Sequence, residues 1–179
     1  MPRFAEPMRS TPRRHQLDAC AAAVAALKRS SRVTLVLPCG TGKTLLGPMI
    51  RAAIPAQRVL VACPSIGLVR QTLDVWRAEG VVQSSNALVV CSDSTAGSDD
   101  LHLEALAGAG AEVTTSRQDI RRWLSKAGTQ KIVFSTYQSL PRLAEGLPRG
   151  FKLDLALFDE AHRAAQPENS LFGFALNDQ

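Results

Sequence analysis

The chain has 179 residues, with 21 Lys and Arg against 16 Asp and Glu, a formal net charge of +5. That length suits one domain with its own core, and 45% hydrophobic with 21% charged residues excludes a disordered or fibrous chain. No apolar run approaches the ~20 residues that a membrane helix needs, and the first fifteen residues carry charge and proline where a signal peptide would be apolar. The four cysteines (Cys20, Cys39, Cys63, Cys91) have no metal-ligand spacing, and Cys20, Cys63 and Cys91, in apolar stretches, read as buried, reduced thiols of a cytoplasmic protein. Residues 1–32 hold seven bases and two acids, so the whole net charge lies there. Such a segment is either a solvated tail and helix face or an edge turned toward phosphate.

In chain order, residues 1–10 form a basic tail and 11–179 one domain. Thr11-Pro12 predicts a helix start, with Thr as N-cap and Pro first in the helix, running to about Arg29 with Leu17, Cys20, Val24 and Leu27 on one face. Val33–Leu37 (VTLVL) reads as a strand buried on both faces, and Leu45–Ala53 as an apolar helix. Val59–Cys63 is a second strand, and Gly67–Glu79 a helix with Leu68, Thr72, Val75 and Trp76 on one side. Ala87–Cys91 is a third strand, and residues 92–110 a loop with one helical turn around Leu101–Leu106. Val113–Thr115 is a short strand, with Ser116 capping a helix that carries Ile120, Trp123 and Leu124. Lys131–Thr136 is a strand, 139–145 a helix, and Leu153–Phe158 the last strand. Strands alternating with helices, without hairpin signals, predict an α/β fold with a mostly parallel sheet and helices on both faces. Trp76 and Trp123 read as core.

Two motifs carry chemistry. Pro38-Cys39-Gly40-Thr41-Gly42-Lys43-Thr44 lies between an apolar run and a helix, the context in which Gly-Lys-Thr forms a phosphate loop. Its glycines let backbone N–H groups face phosphate oxygens. Lys43 would reach the β- and γ-phosphates of ATP, and the Thr44 hydroxyl would help hold Mg²⁺. The first glycine of the longer GxxxxGK[ST] form is Leu37 here. About 115 residues further on, Leu153–Phe158 runs into Asp159-Glu160-Ala161-His162. Adjacent carboxylates at the end of a buried strand need a neutralising partner. Asp159 would serve the metal and Glu160 would orient and deprotonate a water; the other reading of Asp159 is a helix cap.

With these motifs in place, the sequence resembles the superfamily 2 helicases and translocases of the DEAH type, and most nearly the helicase subunits of restriction and phage-defence systems. The likeness runs from Arg13 to the C-terminus. It implies the RecA-like, three-layer fold of phosphate-loop NTPases, ATP and Mg²⁺ as cofactors, and nucleic acid, DNA before RNA, as partner. Arg13-Arg14-His15-Gln16 resembles the upstream adenine-reading element, which implies that Gln16 reads the adenine edge with Arg13 nearby; Arg14 stands where relatives often have proline. Pro38–Thr44 resembles motif I, with Gly40, Thr41, Gly42, Lys43 and Thr44 on the nucleotide. The stretch 63–72 (CPSIGLVRQT) resembles motif Ia, and 134–140 (FSTYQSL) the next nucleic-acid-facing motif. Pro64, Ser65, Thr136 and Tyr137 would then meet a nucleic-acid strand, Tyr137 as a stacking platform; Ser65 and Thr136 read equally as helix caps. Asp159-Glu160-Ala161-His162 resembles motif II, with His162 coupling nucleotide state to nucleic acid or simply hydrogen-bonded locally.

The resemblance also implies a third motif of the Ser-Ala-Thr type and a second RecA-like domain that brings arginine fingers. Neither is found in the 17 residues after His162. The expectation is therefore a first motor domain cut before its third motif, binding Mg·ATP but hydrolysing it poorly, since an arginine finger contributes ~10³–10⁵ in rate. A catalytically incompetent fragment that binds nucleic acid or protein is the alternative. A small-molecule kinase is disfavoured by the lack of an acceptor site or basic lid.

Overall fold

The computed structural model describes residues 8–38, 40–91, 111–128 and 130–161. The expected loop at 92–110, His162 and the stretch after it lie outside the described residues. Two compact units are present: one comprises Met1–Ala56 with Asp74–Val81, the other Gln57–Leu73 with Val82–Gln179.

The first unit is helical. Helix α1 (Arg14–Leu27) starts two residues later than Thr11-Pro12 predicts, with Arg13 as N-cap in extended conformation. The reason is Gln16, whose Oε1 accepts from Arg13 N–H at 2.9 Å and satisfies a helix-start donor that Thr11 would otherwise serve. Gln16, Cys20 and Ala23 form its buried face, while Leu17, Val24 and Leu27 are half-buried. A single 3₁₀ turn (Lys43–Leu45) leads into α2 (Leu46–Ala53). Pro48 fits there because N–H groups of a first turn have no intrahelical acceptor. Trp76, fully buried, lies so close to Gly47 that a Cβ there would sit 3.0 Å from its ring. Nearby, the buried Glu79 carboxylate accepts from the N–H groups of Arg9 and Ser10 at 2.9 and 3.2 Å.

Val33–Leu37 is not a strand. Residues 32–38 have no regular structure, and Val36 is 91% exposed. Apolar, β-branched composition favours a pleated surface, but a strand exists only where neighbours take its N–H and C=O groups. None of the described strands pairs with this run.

The second unit is a five-stranded sheet in the order β3-β2-β4-β1-β5, built from β1 (Arg58–Cys63), β2 (Ala87–Val90), β3 (Glu112–Thr114), β4 (Lys131–Thr136) and β5 (Leu155–Phe158). Every pairing is parallel. Helix α3 (Ile66–Ala78) follows β1, α4 (Arg117–Ser125) follows β3, and α5 (Leu140–Gly146) follows β4 after a 3₁₀ turn. Leu60, Ala62, Leu88, Val90 and Val133 share one core with Ile120, Trp123 and Leu124 of α4 and with Leu140 and Leu143 of α5. Val59, Val61, Val89, Ile132 and Phe134, the alternating residues, are equally buried. Strands buried on both faces need apolar runs, which Val59–Cys63, Ala87–Val90 and Ile132–Phe134 supply.

Three local devices hold this unit. Ser116 Oγ accepts from Asp119 N–H and caps α4, as its position predicts. Gly146 lets α5 approach α4 so closely that a Cβ would lie 2.7 Å from Ile120 Cβ. Asp154 Oδ2 accepts from the N–H groups of Gln57 and Arg58 at 3.0 and 2.8 Å, and its Oδ1 takes the Arg58 guanidinium at 2.9 Å. That clasp sets β5 beside β1. It also holds the Asp154 carboxyl below its ordinary pKa, chiefly through the hydrogen bond from the Arg58 side chain. Lys131 is buried with Nζ on Trp123 O at 3.0 Å and 4.6 Å from the Trp123 ring centre; burial lowers its pKa.

Candidate functional site

In the first unit, the start of α1 and the glycine loop meet. Arg13, Gln16, Gly40, Gly42 and Thr44 line one cavity of about 370 Å³, together with Thr11, Leu45 and Val75. Its volume falls within the range of small-molecule sites, and a few polar groups among apolar walls is the usual lining of such sites. Gly40 and Gly42 have φ of +77° and +74°, where a side chain would be strained. Thr41 Oγ1 donates to Pro38 O at 2.8 Å and closes the loop on itself.

Gln16 is 5% exposed, and its Nε2 donates to Thr41 O and Gly42 O, both at 3.1 Å. His15 Nε2–H donates to Thr41 O at 3.0 Å, the tautomer a carbonyl acceptor demands. Both amide protons of Gln16 are thus committed to the loop. To read an adenine edge, Gln16 would have to trade these bonds for the base. Lys43 is exposed and is not among the cavity-lining residues. Sequence reading did not anticipate the His15 and Gln16 bonds to the loop, because a contact between residues 25 or 26 apart leaves no spacing signal.

In the second unit, Asp159 and Glu160 follow directly on β5. Asp159 N–H donates to Ala62 O of β1 at 2.9 Å, and Asp159 Oδ1 accepts from Glu160 N–H at 3.0 Å. Glu160 has φ of +55°, a left-handed conformation that costs a residue with a Cβ about 1–2 kcal/mol. Cys63 lies at the neighbouring end of β1. Burial, with a smaller contribution from the Asp159 charge, pushes its thiol up to about 12, against the opposing hydrogen bond to Thr72.

Two of the expected nucleic-acid contacts are buried in this structure. Tyr137 is 6% exposed, with its ring stacked on Phe158 at 6.4 Å and its hydroxyl donating to Asp159 O. It offers no free face to a base. Burial raises its phenol pKa, with the neighbouring Cys63, Asp159 and Glu160 adding to the effect. Thr136 is buried, and its hydroxyl donates to Ser139 Oγ at 2.9 Å, so it is turned inward as well. Ser65 is exposed and Pro64 half-buried; Ser65 Oγ accepts from Leu68 N–H at 3.3 Å, which makes it a cap of α3 at the surface.

Among the described residues no cluster of three or more His, Cys, Asp or Glu side chains could hold a metal by itself. Magnesium is usually held by one or two carboxylates together with substrate phosphates. Among the same residues no helix is long and apolar enough to cross a membrane.

This α/β arrangement is that of a helicase-like motor domain. A nuclease-deletion mutant of the Type ISP restriction-modification enzyme LlaGI, solved in complex with a DNA substrate mimic, superposes with a TM-score of 0.64 and 28% identity, over 86% of this chain and 15% of that one. The profile of the family described as Type III restriction enzyme, res subunit, matches residues 9–172, and the chain belongs to that family. Probable helicases from two African swine fever virus isolates, from ticks in Malawi and South Africa, are 30% identical over 151 residues, which is 84% of this chain and 16% of theirs. The chain therefore spans about one sixth of the length of these relatives.

Proposed function

We propose that this chain is the ATP-binding motor domain of a nucleic-acid-dependent helicase or translocase that acts on DNA. The observation that carries the reading is the cavity where Arg13 and Gln16 meet Gly40, Gly42 and Thr44, in a chain of helicase-like family. Arg13 and Gln16 are assigned to the adenine, and Gly40, Thr41, Gly42 and Lys43 to the phosphates. Thr44 and Asp159 are assigned to the magnesium that accompanies ATP, which supplies charge neutralisation on the phosphate oxygens. Glu160 holds and deprotonates the attacking water, and His162 couples the nucleotide to DNA. Pro64 and Ser65 remain as the DNA-backbone contact. The DNA complex of the LlaGI enzyme supports DNA over RNA. A second motor domain is the expected source of the arginine that completes hydrolysis.

The test is nucleotide affinity measured with a fluorescent ATP analogue in Mg²⁺. Lys43→Ala should weaken binding at least tenfold, a charge-assisted phosphate contact contributing about 1.5–3 kcal/mol. Equal affinity in the variant refutes the assignment. Undetectable ATP binding by the wild-type chain, with salt-sensitive DNA binding retained, makes the chain a binding module instead.

A further inference from the structure

We infer that Tyr137 is a positioning residue for the Asp159–Glu160 turn, reaching from the end of β4 past β1 to hold the carboxylate pair. The inference rests on the reading that Asp159 and Glu160 serve Mg·ATP. In the sheet, β4 and β5 lie on either side of β1, so a residue after β4 and one after β5 are two strand spacings apart, roughly 10 Å. Only a long side chain crosses that gap. Tyr137 does so, lying along Phe158 and placing its hydroxyl on Asp159 O. Phe at this position would keep the ring contact and lose the bond.

The backbone of Asp159 is thereby held on both sides. Its N–H is fixed by Ala62 of β1 and its C=O by Tyr137, and the next residue, Glu160, takes the left-handed conformation. Strained backbone of this kind persists only where surrounding contacts over-determine it. Removing one of the two holds frees the peptide that follows Asp159, and with it the direction of both carboxylates. Tyr137 lies between Thr136 and Ser139, which bond to each other, so the turn after β4 and the acidic turn after β5 form one connected piece.

The test uses Tyr137→Phe and measures affinity for a fluorescent ATP analogue with Mg²⁺ and again with EDTA. A positioning role predicts that the gain from Mg²⁺ falls about two- to tenfold, the value of one hydrogen bond, while affinity in EDTA is unchanged. A wild-type gain in Tyr137→Phe overturns the inference, and so does an equal fall in both conditions, which would mark a merely structural tyrosine. Asp159→Asn separates the premises. If it removes the Mg²⁺ gain while Tyr137→Phe does not, the inference alone fails; if it leaves the gain intact, the assignment of Asp159 fails and takes the inference with it.

Discussion

Replacing Gly42 by alanine tests the junction between α1 and the glycine loop. At φ +74° the new residue incurs about 1–2 kcal/mol of left-handed strain. Its Cβ would lie 2.6 Å from Gln16 Nε2, so the amide must move and surrender its bonds to Thr41 O and Gly42 O. Two such bonds contribute about 1–3 kcal/mol together, which brings the expected loss to about 2–5 kcal/mol. Gln16→Ala should cost about 2–4 kcal/mol through the same bonds and the one to Arg13 N–H. Because both changes remove the same two bonds, the double variant should be less destabilised than the sum by about 1–3 kcal/mol. The assay is guanidinium unfolding followed by Trp76 fluorescence in a Trp123→Phe background, since the chain has two tryptophans and Trp76 belongs to the unit that carries the loop. Additivity within about 0.5 kcal/mol would show that Gln16 does not hold the loop.

Two further predictions concern the sheet unit. Gly146→Ala should lose about 1–3 kcal/mol by overpacking against Ile120, although alanine is the better helix former; unchanged unfolding by Trp123 fluorescence would contradict the close approach of α5 to α4. The lowered pKa of Asp154 means that its contribution to stability is complete above the ordinary carboxyl value of about 3.9 and is lost as pH falls through the lower folded value. Asp154→Asn should therefore flatten the fall in stability on the acid side, and an unaltered acid limb would refute the clasp.

Lys131–Thr136 forms a strand over the same six residues expected of it, because its centre, Ile132-Val133-Phe134, has the alphabet of a strand buried on both faces. Ser116 was legible because a cap acts three residues away. Val33–Leu37 has the same alphabet and forms no strand, since pairing is a property of neighbours and not of composition. Thr11-Pro12 looked like a helix start, but Gln16 decided the matter by closing on Arg13. At the candidate site, the residue types and their order could be read from spacing. The inward turn of Thr136 and Tyr137 could not, because an aromatic or hydroxyl at a strand end reads the same whether it faces solvent or a neighbouring turn. Nor could the bond between Tyr137 and Asp159, which joins segments 22 residues apart.

The Val33–Leu37 run, exposed at Thr34, Leu35 and Val36, has a consequence for handling the protein in solution. A short, uncharged, β-branched segment open to water is a template for cross-β stacking between molecules. Its two neighbours work against that outcome. Arg32 puts a charge at one end and Pro38 removes a backbone donor at the other, the gatekeeper pattern that natural sequences place around hydrophobic strands they cannot avoid.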